Sequence, residues 1–213
     1  MLLKVLFASF ALMTVAQGKS KYCCYPDQWE AVEGLMAGSV DDEGHATITN
    51  GYVTVSYDAK NQRIYGVDTI TTGSVTKVYT FLQLFTEGVQ YLIVNKTCTR
   101  AKLGAWNNQN CIPDNATLTN QYRLGLNQSI MINDYTYSIS NLTYIVSVEN
   151  KSCAPVVEYN FGDLNGAQLM TGVGVQGITV GIKDPSVFDV PAICKQAPHD
   201  QSTLRSVSFT RRR

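Results

Sequence analysis

Histidine is nearly absent from this chain: the 213 residues hold two, His45 in EGHATI and His199 in a polar tail, and neither belongs to a metal-binding motif. No G-x-S-x-G elbow, H-E-x-x-H pair or phosphate-cradling glycine loop occurs, so the usual carriers of hydrolase, zinc-protease and nucleotide chemistry are missing. Carboxylates such as Glu158, Asp163 and Asp184 read as ordinary surface groups, and the expectation is a protein that is not an enzyme. An excess of either charge is also lacking. Lys and Arg number 17 against 17 Asp and Glu, which argues against nucleic acid as a partner. No two cysteines stand in C-x-x-C spacing, which excludes the zinc ribbon and the dithiol redox motif. Beyond Ala16, no segment approaches the roughly 18 uninterrupted apolar residues of a membrane-spanning helix.

What is present begins with an export signal. Met1-Leu2-Leu3-Lys4 is a short basic lead, and Val5 to Ala16 is an apolar run too short to cross a bilayer. Residues 1–18 are therefore expected to be removed, leaving a secreted, extracellular chain. Five Asn-x-Ser/Thr sequons follow, at Asn95, Asn115, Asn127, Asn141 and Asn150, and glycan there requires exposed surface. All six cysteines (Cys23, Cys24, Cys98, Cys111, Cys153 and Cys194) lie past the signal, and an even, widely spread set reads as disulfides. Residues 19–195 are read as one domain. Residues 196–213 are read as a flexible tail, basic at Arg205 and Arg211-Arg212-Arg213.

Alternation of apolar and polar residues runs from about residue 45 to 182 and predicts a mostly β chain. Tyr52–Tyr57 and Arg63–Val67 form one expected hairpin, and Val78–Phe85 with Val89–Asn95 a second. Further strands are expected over Tyr122–Leu126, Ser129–Ile132, Tyr135–Ser138, Thr143–Glu149, Pro155–Phe161 and Gln176–Ile182. Helix signals are few: Gln28–Met36 is the better candidate, and GAQLMTGVGV from Gly166 has room for a turn or two. The stretch VGIKDPSVFDVPAIC, residues 180–194, breaks a strand at Lys183-Asp184-Pro185, because proline donates nothing to a ladder. Asp163-Leu164-Asn165-Gly166 has the tail of a calcium loop but lacks its first and twelfth ligands. Asp41-Asp42-Glu43 reads as a solubilising loop or a weak calcium site, so calcium stays possible and its ligands unassigned.

The same stretch, GIKDPSVF followed by Pro191 and Cys194, resembles the C-terminal signature of the ependymin-related family of secreted glycoproteins. Cys24-Tyr25-Pro26-Asp27-Gln28-Trp29-Glu30 resembles its opening, and Tyr57-Asp58 with Asn61-Gln62-Arg63 its first hairpin turn. Asn115-Ala116-Thr117 with Gln121-Tyr122 resembles its central glycosylation segment. The resemblance implies two curved antiparallel sheets forming a half-barrel or sandwich, lipoprotein-carrier-like, with one or two short helices and an apolar pocket. It implies a calcium-responsive homodimer that binds hydrophobic or anionic lipid-type ligands. The alternative role it implies is calcium-dependent cell-matrix adhesion, or a place in extracellular (shell) matrix, with collagen as a possible partner. By family pattern the bridges are Cys24–Cys153 and Cys98–Cys194, with Cys23 and Cys111 left to pair together or to link subunits. From the apolar strand faces, the pocket wall is expected at Val53, Val55, Tyr57, Phe81, Phe85, Tyr144, Val146 and Val148.

Overall fold

A computed structural model describes residues 22–106, 110–164 and 167–198. The expected signal, residues 1–18, and the tail from 199 onward lie outside the described residues.

Among the described residues eleven strands follow one another: β1 (Gln28–Val40), β2 (Ala46–Asp58), β3 (Arg63–Thr72), β4 (Val75–Leu84), β5 (Val89–Val94), β6 (Thr97–Lys102), β7 (Thr117–Leu124), β8 (Ile130–Ile139), β9 (Leu142–Glu149), β10 (Pro155–Leu164) and β11 (Ala167–Val180). They form a single antiparallel sheet in the order β6-β5-β4-β3-β2-β1-β11-β10-β9-β8-β7. The mostly β, antiparallel architecture is thus what the chain adopts, and the two sheets implied by resemblance are two arms of one continuous ladder. Each arm is an up-and-down meander, and the joint between them is the pairing of the first strand with the last. Strands β6 and β7 end the order without pairing to each other, so the sheet is open.

Register assigns the side chains to two faces. Trp29, Ala31, Glu33 and Leu35 of β1 stand opposite Tyr57, Val55, Val53 and Gly51 of β2, and β3 carries the same face through Ile64, Gly66 and Asp68. On the other arm, Thr171 and Val173 of β11, Asn160 of β10, and Tyr144 and Val146 of β9 continue it. Along this inner face Trp29, Leu35, Val53, Val55, Val146 and Val173 are all buried, while Met36, Ile48, Tyr52 and Met170 on the outer face are more than half exposed. Among the described residues no helical layer covers the inner side. Eleven strands, each rotated by roughly 20° from its neighbour, curl, and that curl shields the concave side.

Two expectations of local structure are corrected. Gln28–Met36 is not a helix but most of β1, hydrogen-bonded on both sides to β2 and β11. Its burial alternates residue by residue from Trp29 to Leu35, a period of two that tertiary pairing imposes on a helix-tolerant composition. The run following Gly166 is β11, also extended. The helical content among the described residues is two 3₁₀ turns, Pro185–Phe188 and Ala192–Cys194.

Those turns lie where the Lys-Asp-Pro break sends the chain. Asp184 caps the first turn, accepting hydrogen bonds from Ser186 N at 3.0 Å and Ser186 Oγ at 2.7 Å, and Pro185 opens it. Phe188 then packs on Leu82 and Leu84, on the outer face of the β3–β5 arm. Arg63 joins the clasp, its Nε 2.8 Å from buried Asp58 and its guanidinium 4.1 Å from the Phe188 ring centre. Cys194 is bonded to Cys98 of β6. Further along the same segment, the Pro198 carbonyl accepts from Arg100 N.

The remaining bridges are Cys23–Cys153 and Cys24–Cys111, not the expected Cys24–Cys153. Cys24 lies in a backbone bridge with Cys111, and adjacent residues of an extended chain point to opposite sides. Cys24 therefore meets the β6–β7 connection, and Cys23 is turned to the β9–β10 turn that carries Cys153.

Candidate ligand-binding face

The inner face gathers the expected wall residues and divides them. Val53, Val55 and Tyr57 form one cluster with Trp29, Ile64 and Trp106, and Phe81 and Phe85 pack at its margin. Trp106, from the β6–β7 connection, lies across this cluster, 5.5 Å from Tyr57 and 4.9 Å from Phe85 between ring centres. Tyr144, Val146 and Val148 belong to a second cluster, with Tyr25, Ile112, Ala116, Tyr135 and Tyr137. Residues on both sides of the Cys24–Cys111 bridge cover that cluster, and Tyr22 Oη fastens the N-terminal segment to the Ala116 carbonyl at 2.8 Å. The eight residues thus share a face without forming one wall. Each group lies under side chains of its own chain.

Gly66 and Phe81 illustrate how the sheet accommodates bulk on this side. They are directly opposed on β3 and β4. A Cβ at residue 66 would collide with the Phe81 ring, so the missing side chain is what lets the ring lie over the backbone.

Between the two clusters the pattern inverts. On β10, Tyr159 and Phe161 face outward and are 40 % exposed, while Asn160 faces inward at 1 %. On β11, Met170 faces out and Thr171 is fully buried; on β1, Val32 and Met36 face out and Glu33 faces in at 6 %. On the central strands, Glu33, Asn160 and Thr171 are thus interspersed with Leu35, Leu169 and Val173 on the inner side, while the outer side carries Val32, Met36, Tyr159, Phe161 and Met170. Asn160 and Thr171 are directly opposed across the ladder, yet neither the Asn160 amide nor the Thr171 hydroxyl has a hydrogen-bond partner. Trp29 Nε1 and Gln83 Oε1, also inward and buried, have none either. Leaving such a group buried and unbonded costs about 1–3 kcal/mol.

The Ependymin family model matches residues 73–194. The chain belongs to the ependymin family. It is 31% identical over 193 residues to mammalian ependymin-related protein 1 of Mus musculus, covering 87% of this chain and 81% of that one. The rat protein of the same name is 30% identical over 192 residues, with the same coverages. Ependymin-related protein 1 of Haliotis asinina is 25% identical over 201 residues, covering 85% of this chain and 94% of that one. Among solved structures, a β-barrel-like protein of unknown function from Brucella abortus covers 75% of this chain and all of its own, with a TM-score of 0.40 and 7% identity.

In this ependymin-family chain the five sequon asparagines, Asn95, Asn115, Asn127, Asn141 and Asn150, are all exposed and all in turns. Asn150 also accepts a hydrogen bond at 2.8 Å from the buried Asn133 amide through Oδ1, which leaves its own nitrogen available for a glycan. Among the described residues no three His, Cys, Asp or Glu side chains come close enough to hold a metal ion. Asp41, in the acidic run considered for calcium, directs its carboxylate into its own turn. The His45 backbone N–H first, then the His45 ring and the Glu43 and Gly44 backbone, hold it below the usual carboxylate range despite some opposing desolvation. Asp163 of the partial calcium loop accepts from Gln168 Nε2 at 3.3 Å, and Asn165 and Gly166 lie outside the described residues. No helix among the described residues is long and apolar enough to cross a membrane.

The sequence reading missed Trp29, Trp106, Asn160 and Thr171. The two tryptophans are the chain's only ones, and a rare large aromatic beside a cysteine segment is a usable sign of a capping role. Asn160 and Thr171 left a subtler trace: in YNF and MTG, single polar residues interrupt apolar ones at the positions that register turns inward.

Proposed function

We propose that the protein is a secreted, disulfide-bonded glycoprotein that binds rather than catalyses, holding a hydrophobic or lipid-type ligand against the inner face between the two arms. The observation that supports this reading is the apolar inner face shared by the two arms, where Leu35, Val53, Val55, Val146 and Val173 lie on an open sheet that no second sheet among the described residues covers. A ligand with an alkyl body suits the surrounding Leu35, Leu169, Val173 and Val146, because each buried CH₂ contributes about 0.8 kcal/mol. The cystine framework and the turn-borne sequons support export through an oxidising compartment.

Native mass spectrometry of the glycosylated protein, gently desalted, is expected to show a lipid mass that organic extraction removes, and the extracted protein is expected to rebind a fluorescent acyl probe. A protein free of lipid that also ignores the probe would sink the carrier reading.

The outer face supports a second, compatible reading, self-association into a homodimer in an adhesive or matrix setting. Val32, Met36, Ile48, Tyr52, Phe161 and Met170 present an exposed apolar patch. Gly34, Gly38, Gly172 and Gly174 lie between them, and no charged residue interrupts it in register. An uncharged apolar strand surface of this kind fits a second copy of itself, as in sheet-on-sheet packing.

A further inference from the structure

We infer that Met36 and Met170 are an oxidation site through which peroxide controls self-association: turning both thioethers into sulfoxides dissolves the contact between copies. The inference rests on the outer-face reading and adds its regulation. Met36 is 67 % exposed and Met170 59 %, whereas the third methionine among the described residues, Met131 on β8, is half-buried. Register leaves both sulfurs without shelter at the joint of the two arms. Met36 of β1 stands opposite Gly172 of β11, and Met170 of β11 opposite Gly38 of β1, so each faces a residue with no side chain. A Cβ on Gly38 would meet nothing within 4 Å. The two methionines are diagonal neighbours, about 7–8 Å apart by ordinary ladder spacing, so one patch holds both.

The chemistry needs hydrogen peroxide and nothing else. A sulfur lone pair attacks one peroxide oxygen and the O–O bond breaks; the sulfur loses two electrons and keeps that oxygen as a sulfoxide, and the other oxygen leaves as water. A weak, apolar sulfur thereby becomes a polar acceptor. On a separate protomer water bonds it, but between two apolar sheet faces it is desolvated. The residues directly opposite Met170 are Gly38 and Phe161, neither with a side-chain donor, while Met36 has the Asn50 amide across β2. Oxidation of Met170 is therefore the more disruptive of the two. Because association covers both sulfurs, peroxide reaches them on separated protomers, and their oxidation slows as protein concentration rises.

The test sediments the full glycosylated chain before and after hydrogen peroxide at neutral pH, with peptide mass spectrometry reporting oxygen on Met36, Met131 and Met170. Oxidation of Met36 and Met170 is expected to raise the dimer dissociation constant by about a hundredfold, with circular dichroism unchanged, and methionine sulfoxide reductases are expected to restore it. Above the dissociation constant, Met36 and Met170 should oxidise more slowly while Met131 keeps its rate. Met36→Leu combined with Met170→Leu, which conserves volume, is expected to dimerise and to ignore peroxide, and Met170→Leu alone to protect more than Met36→Leu. A dimer that persists with both sulfurs oxidised overturns the inference and leaves the outer-face reading standing, and so does a double leucine variant that peroxide still takes apart. A wild-type protein that is monomeric before any peroxide is added is a different result, and it defeats the outer-face reading itself.

Discussion

Asp58 is the residue on which the closing clasp turns. Its side chain is fully buried, and burial alone would push its pKa up. Hydrogen bonds from Asn61, Arg63 and Gln28 outweigh that and hold it below the ordinary carboxylate value. Arg63 in turn stacks on Phe188, so one carboxylate ties a hairpin turn to the C-terminal segment. Asp58→Ala is expected to destabilise the protein by about 3 kcal/mol at neutral pH, because it leaves buried donors and a partly buried guanidinium uncompensated. A carboxylate whose folded-state pKa is depressed contributes stability that is present above its unfolded value and lost as pH falls through the folded one. The gap between wild type and variant should therefore close below the ordinary carboxylate range. Urea melts across that window check both points, and a constant gap would show that ionisation of Asp58 is not the cause.

At the scale of elements, the three disulfides hold different pieces. Cys98–Cys194 fixes the C-terminal clasp to β6. Cys24–Cys111 and Cys23–Cys153 pin one short N-terminal segment both to the β6–β7 connection and to the β9–β10 turn. Their separations of 87, 96 and 130 residues place each at about 4–5 kcal/mol in the chain-entropy account, less where loops overlap. Paired variants separate the two adjacent cysteines. Cys24→Ser with Cys111→Ser is expected to lower the melting temperature yet leave two intact bridges by mass spectrometry, and so is Cys23→Ser with Cys153→Ser. Cys24→Ser with Cys153→Ser is expected to strand two thiols. If it instead gives two clean bridges and native stability, the pairing is wrong. The sequence left the partner of each adjacent cysteine open because a one-residue offset carries no spacing signal. Only the direction in which each side chain leaves the extended segment separates them. The hairpins of β2 to β5 were legible for the opposite reason: their alternation matches their burial, as at Val53, Val55 and Tyr57. In β1 it does not, and there pattern reading chose helix.

For the whole molecule, the mostly β class and the family were readable from strand spacing and the KDP and CYPDQWE stretches. The arrangement was not. Nothing local to QWEAVEGLM announces that it pairs with GVGVQGITV about 140 residues away, nor that two meanders fuse there into one sheet. The same fusion sets the outer patch at the centre of the convex side, where two copies can meet. The wild-type protein is expected to sediment as a dimer, and Met36→Glu combined with Met170→Glu as a monomer with unchanged circular dichroism. A wild type that is monomeric across the concentration range, or a variant that stays dimeric, would remove the outer face from consideration.

Because β1 finds its second neighbour only in β11, the strand made first must wait for the strand made last. During synthesis the leading meander leaves the ribosome with β1 as a raw edge, and both vicinal cysteines emerge before either partner exists. Vectorial completion, one piece settling as the next arrives, is closed to this topology. Cys24 and Cys23 find their partners only once Cys111 and Cys153 have been made, and a message truncated anywhere before β11 encodes a polypeptide with an open seam.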